Sequence, residues 1–81
     1  MRAEEYTLDD LARLTGIEAR TIRSYIAGGL LRGPDSRGPK ARYTAYHLKR
    51  LEVIRLLRDH YNLRLEDIRR YMLMAGDEDI Q

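Results

Sequence analysis

Two short apolar-periodic segments, each closed by glycine, narrow the folds open to this chain more than any other feature. Thr7 stands before Leu8, Leu11, Ala12 and Leu14, whose spacing marks one face of a helix. Its hydroxyl can accept from the amides two or three residues on. Asp10 holds the reciprocal capping-box position, where Glu or Gln is more usual. Gly16, between Thr15 and Ile17, suits the left-handed turn that ends such a helix. A second helix is expected from about Glu18 to Ala27, with Gly28-Gly29 stopping it. The pattern predicts a helix-turn-helix.

The second helix divides into two unlike sides. At about 100° per residue, Ile22, Ile26, Ala19 and Tyr25 gather on one side, and Arg20, Arg23, Ser24 and Ala27 on the other, flanked by Thr21. A helix facing only water usually mixes its charges. This outer side has two arginines, two hydroxyls and a small residue, with no acid. Small residues let a helix come close to base edges in a groove about 12 Å wide. Beyond the glycines, Leu30-Leu31-Arg32 and Ala41-Arg42-Tyr43 are expected to pair as short strands around the polar loop Gly33 to Lys40, forming a wing.

Thr44 is a good N-cap for a third helix reaching about His60. Leu51, Ile54, Leu57 and Tyr61 share its apolar face, widened by Tyr46 and Val53. Arg50 falls in the same sector, so it is expected to reach the edge or to pair with an acid. Asn62 suits a left-handed turn, and a fourth helix should run from about Leu65 to Ala75 with Leu65, Ile68 and Met72 inward; Met74, like Met72, reads as helix packing. The expected fold is mainly α: a helix-turn-helix, a short two-stranded wing and a helix pair, together a winged helix-turn-helix over residues 5–75. Residues 76–81 form an acidic tail expected to be disordered.

With 81 residues the chain allows one small domain, and without cysteine it depends on a modest core of aliphatic side chains and tyrosine. Charged residues at 35% and apolar residues at 43% fit a folded chain. The net charge of +2 conceals an asymmetry: residues 18–50 carry eight Lys/Arg against two acids, a net +6, while each flank is net negative. Positive charge gathered in one stretch implies an anionic partner on one face. His47 and His60 stand thirteen positions apart with no neighbouring Cys or His, which argues against a metal site. Asp9-Asp10, Glu4-Glu5 and Asp77-Glu78-Asp79 lack an adjacent base, so no catalytic constellation, and no cofactor, is expected. No stretch approaches membrane-spanning length.

The run Tyr6 to Gly16, the helix-2 core Thr21-Ile22-Arg23-Ser24-Tyr25, the exit Gly29-Leu30-Leu31 and the wing end Arg42-Tyr43-Thr44 together resemble the DNA-binding domain of MerR-family transcription regulators. The later Leu48, Leu51, Ile54 and Leu57-Arg58 spacing and Leu65-Glu66-Asp67-Ile68 extend the likeness over about residues 6–75. The resemblance implies helix 2 in the major groove of duplex DNA, with the wing and the following helix pair on flanking backbone or minor groove. It further implies dimers on inverted repeats and promoter distortion that admits or blocks RNA polymerase. DNA binding by itself allows the cytoplasm of a bacterium or archaeon, or a nucleus, and the resemblance to a bacterial family points to a cytoplasmic bacterial setting. Several positions depart from the family pattern. Ser24 stands where tyrosine is common, Glu18 where Ser or Thr often caps helix 2, and Asn62 and Arg64 where Gly and Ser/Thr are frequent. The long dimerising helix and effector domain of typical members have no counterpart in these residues.

On this reading Arg20, Thr21 and Ser24 are candidates for reading bases or adjacent phosphates, because Arg can grip guanine bidentately. Arg23 and Tyr25 would position the backbone, with a purely structural Tyr25 equally open. Arg37, Lys40 and Arg42 would charge the wing, and Tyr43 would stack on it or bond a phosphate. Two other readings stay open: an excisionase-like architectural protein that bends DNA, and a MerR-like module that binds proteins. The outward arginines of helix 2 favour DNA, since a repurposed domain would be free to lose them.

Overall fold

Thr7 opens the first helix as its hydroxyl predicts. In the computed structural model, which describes residues 5–34 and 41–75, the order is β1 (Glu5–Tyr6), α1 (Leu8–Thr15), α2 (Ala19–Ala27), β2 (Tyr43–Thr44), α3 (Ala45–Asp59) and α4 (Leu65–Ala75). The Thr7 Oγ1 accepts from the Asp10 amide at 3.0 Å while an Asp10 carboxylate oxygen accepts from the Thr7 amide at 2.9 Å, closing the box. That backbone hydrogen bond from Thr7 holds the Asp10 carboxyl below its ordinary range. Gly16, at φ 78°, returns its amide to the Ala12 carbonyl and turns the chain towards α2.

α2 ends in a Schellman turn: the Leu30 amide reaches the Tyr25 carbonyl, the Gly29 amide reaches that of Ile26, and Gly29 takes φ 84°. Both leucines that follow are buried. In a strand, adjacent side chains point to opposite faces, so Leu30-Leu31 could not both enter one core that way. The stretch is accordingly irregular, and the expected pairing of Leu30–Arg32 with Ala41–Tyr43 does not occur. The two-stranded sheet has other partners: β1 runs antiparallel to β2, with Glu5 opposite Thr44 and Tyr6 opposite Tyr43.

The core gathers Leu11, Ile17, Ile22, Tyr25, Leu30, Leu31, Tyr43, Leu51, Ile54, Ile68 and Met72, so every described element except β1 contributes to it. The arginines of α3 brace it. Arg55 donates from Nη1 to the Thr15 carbonyl at the end of α1, 3.0 Å away. Arg50 corrects the expectation of an edge position: it is 6% exposed and donates to the Leu30 carbonyl at 2.9 Å and the Met72 carbonyl at 3.4 Å. The carbonyls need donors there, because a buried acceptor left unmatched costs about 1–3 kcal/mol.

Four apolar residues expected inside are exposed instead. Leu14 is 50% exposed because Thr15 takes the inward place one turn below Leu11. Its hydroxyl donates to the Leu11 carbonyl at 2.7 Å and accepts from the Ile17 amide, so burying it leaves nothing unmatched. Tyr61 lies beyond the end of α3, where the chain already turns at Asn62, φ 55°. Leu65, first in α4, borders an open cleft. Met74 stands two residues past buried Met72, on the opposite side of the helix. The expected acidic tail, residues 76–81, lies outside the described residues.

Candidate nucleic-acid interface

α2 stands as a ridge between two clefts. One, of about 730 Å³, opens towards the N-terminus of α1 and the segments flanking the loop, and is lined among others by Asp9, Arg23, Ala27, Gly33, Pro34 and Tyr43. The other, of about 440 Å³, opens towards the α3–α4 corner and is lined by Arg20, Thr21, Ser24, Tyr25, Arg58, Leu63, Leu65 and Ile68. α2 is thus flanked by an open recess on each side.

The outer face of α2 is as the periodicity predicts. Ile22 and Tyr25 point inward, while Arg20, Arg23 and Ser24 are exposed and Thr21 is half-buried. Arg20 is extended into solvent, and its one ion-pair contact, 3.8 Å to Glu18, joins two exposed chains. Such a pair contributes little and is readily exchanged for another anion. Arg23 makes no hydrogen bond or ion pair among the described residues. These groups are not needed to hold the domain together.

The two candidate tyrosines are in a different position. Tyr25 is 5% exposed, and its hydroxyl accepts from Arg58 Nη1 at 3.2 Å. Tyr43 is also 5% exposed, its ring meeting the His47 ring edge-on with centroids 5.1 Å apart. Both rings pack in the core. Arg42, exposed at the start of the β2 corner, lies 3.7 Å from the Glu5 carboxylate across the sheet. Arg37 and Lys40 lie outside the described residues.

The sequence reading overlooked Arg58 as a member of this surface. Its side chain bonds Asp59 at 2.7 Å, and that bond first, then the Tyr25 hydroxyl, raises its pKa; the same contact lowers that of Asp59. Arg58 thus lines the same cleft as Arg20 and Ser24. A buried tyrosine hydroxyl calls for a partner, which is the signal available from sequence. Which arginine answers it, 33 positions away, is not.

A helix-turn-helix with a cationic outer helix, a small antiparallel sheet and a following helix pair defines a winged helix-turn-helix protein. The profile of the MerR HTH family regulatory proteins matches residues 6–75, and the chain belongs to that family. A crystal structure of HiNmlR, described as a MerR family regulator lacking the sensor domain, bound to promoter DNA, superimposes with a TM-score of 0.73 at 27% sequence identity. The match covers 95% of this chain and 63% of the HiNmlR chain, so the present chain spans under two thirds of that relative's length. No curated protein sequence gives a significant match.

Proposed function

We propose that this chain is the recognition module of a transcription regulator and binds double-stranded DNA with sequence preference. In this reading α2 lies in the major groove and the Arg42 corner meets flanking phosphates. One observation carries it: Arg20, Arg23 and Ser24 project from one helix face and the fold makes no use of them. The overlap with a family member bound to promoter DNA supports the same assignment. Arg20, Thr21 and Ser24 meet base edges or adjacent phosphates, Arg23 and Arg42 meet phosphates, and Tyr25 holds α2 at its depth through Arg58. One copy occupies a half-site, so two copies pair on an inverted repeat, and RNA polymerase is the machinery the complex acts on.

A salt titration tests this. Each neutralised phosphate contributes about 0.9 to the slope of log affinity against log salt. Duplex binding should therefore weaken steeply between low and moderate salt, and Arg42→Ala should lower the slope by about 0.9. An affinity indifferent to salt would rule out phosphate docking.

A further inference from the structure

The last turn of α2 contains no basic residue, yet a cation stands at its end. A methyl group in place of a Gly28 hydrogen would lie 3.2 Å from Nη2 of Arg69, so the guanidinium of this α4 residue lies against the end of α2. The two helices account for the placement. Leu65 and Ile68 line the smaller cleft from α4, and Arg69 shares the face of Leu65, four positions earlier. Thr21 and Ser24 line the same cleft from α2, and Gly28 follows Ser24 by four positions. Arg69 is exposed and makes no hydrogen bond or ion pair among the described residues. Of the two acids in the first turn of α4, Asp67 lies 3.6 Å from Arg70, and Glu66 makes no ion pair among the described residues.

The C-terminal end of a helix carries about half a negative elementary charge, which repels phosphate. The amides of Gly28, Gly29 and Leu30 occupy the carbonyls of Ser24, Ile26 and Tyr25, but they bring no net charge. A guanidinium does, and its N–H donors remain open to an anion. We infer that Arg69 is a phosphate-binding residue of the DNA-binding face: it offsets the negative end of α2 and grips the duplex backbone beside it. This rests on the DNA-binding reading above. Arg20 lines the cleft near the start of α2 and Arg69 stands past its end, so the duplex backbone along this flank meets an exposed cation at either end of the helix. Arg58, which lines the cleft from α3, is committed to Asp59 and to the Tyr25 hydroxyl. Along the sequence Arg69 and Arg70 look alike, and the packing of α4 beside α2 singles out the first.

The test is a salt titration of duplex binding by the wild type, Arg69→Gln, Arg69→Lys and Arg70→Gln. Arg70→Gln removes the same charge from the next position, which the helix turns about 100° away. Each neutralised phosphate contributes about 0.9 to the slope of log affinity against log salt, so Arg69→Gln should lower that slope by about 0.9. Between about 50 and about 200 mM salt the wild type should then lose about 3.5-fold more affinity than Arg69→Gln. Arg69→Lys, which keeps the charge, and Arg70→Gln should both retain the wild-type slope. An unchanged slope in Arg69→Gln overturns the inference even if affinity falls, because a brace that touches no phosphate leaves the slope alone. An equal loss of slope in Arg70→Gln overturns it too, since net charge would then account for the effect. Melting curves without DNA establish that each variant is folded at the titration temperature. A measurement on the wild type needs no variant: adding duplex should shift the NMR signal of the Arg69 Nε–H, and a signal that stays still overturns the inference. Failure of the wild type to bind duplex at any salt sinks the DNA reading and this inference with it, whereas binding to which Arg69 is indifferent sinks the inference alone.

Discussion

The inner side of α3 and the outer side of α2 both carry arginine, and the fold treats them in opposite ways. Arg50 is buried, with its guanidinium distributed over carbonyls of the α2 exit and of α4, and Arg55 closes the end of α1. Arg20 and Arg23 stand in solvent, with at most a loose contact to Glu18. The same charged group is a structural brace in one place and a solvated surface cation in the other. A count of basic residues merges the two. The net +6 of residues 18–50 includes Arg50, which is not on offer to any partner. Among the described residues of that stretch the exposed cations are Arg20, Arg23, Arg32, Arg42 and Lys49, and the first two share the outer face of α2.

Substitutions that separate stability from recognition put the contrast to the test. The largest effect is expected at Arg50→Ala, which strands two buried carbonyls and should cost about 3 kcal/mol. In a domain of this size that is a fall of more than about 10 °C in melting midpoint. A drop of only about 2–3 °C would mean that water replaces the guanidinium and that Arg50 braces little. Arg20→Ala should do the reverse. Its melting midpoint should hardly move, since surface changes stay within about 0.5 kcal/mol, while discrimination among duplexes falls by about 1–3 kcal/mol. If every sequence weakens by the same factor, Arg20 grips backbone and the base-reading role passes to its neighbours.

The smallest effect concerns the α1 cap, where Thr7 and Asp10 bond each other. The Asp10 carboxyl is held low by the Thr7 amide. A group depressed in the folded state lends stability above its unfolded pKa of about 3.9 and loses it as pH falls through the folded value. The stability gap between wild type and Asp10→Ala should accordingly be widest near neutrality and close in acid, as melting curves in a pH series would show. A gap that persists in strong acid would show that packing, and not the carboxylate, distinguishes the two proteins.

What could be read without coordinates was whatever the chain settles within a few residues of itself. Thr7 and Asp10 cap each other three positions apart, Gly16 and Asn62 adopt the left-handed turns that suit them, Gly28-Gly29 closes the second helix, and the helical period alone turned Arg20, Arg23 and Ser24 outward. Each depends on a local hydrogen bond, a backbone angle or a repeat, none of which needs a distant partner. The pairing of β1 with β2 needs residues from opposite ends of the helix-turn-helix, and hydrophobicity could not foretell it. Nor could it foretell that Thr15 would displace Leu14, or that Arg50 and His47 would be buried at all. Burying a polar group is tolerable only where a remote segment brings the matching donor or acceptor. For His47 that segment lies fourteen positions away, and only the folded chain brings it there.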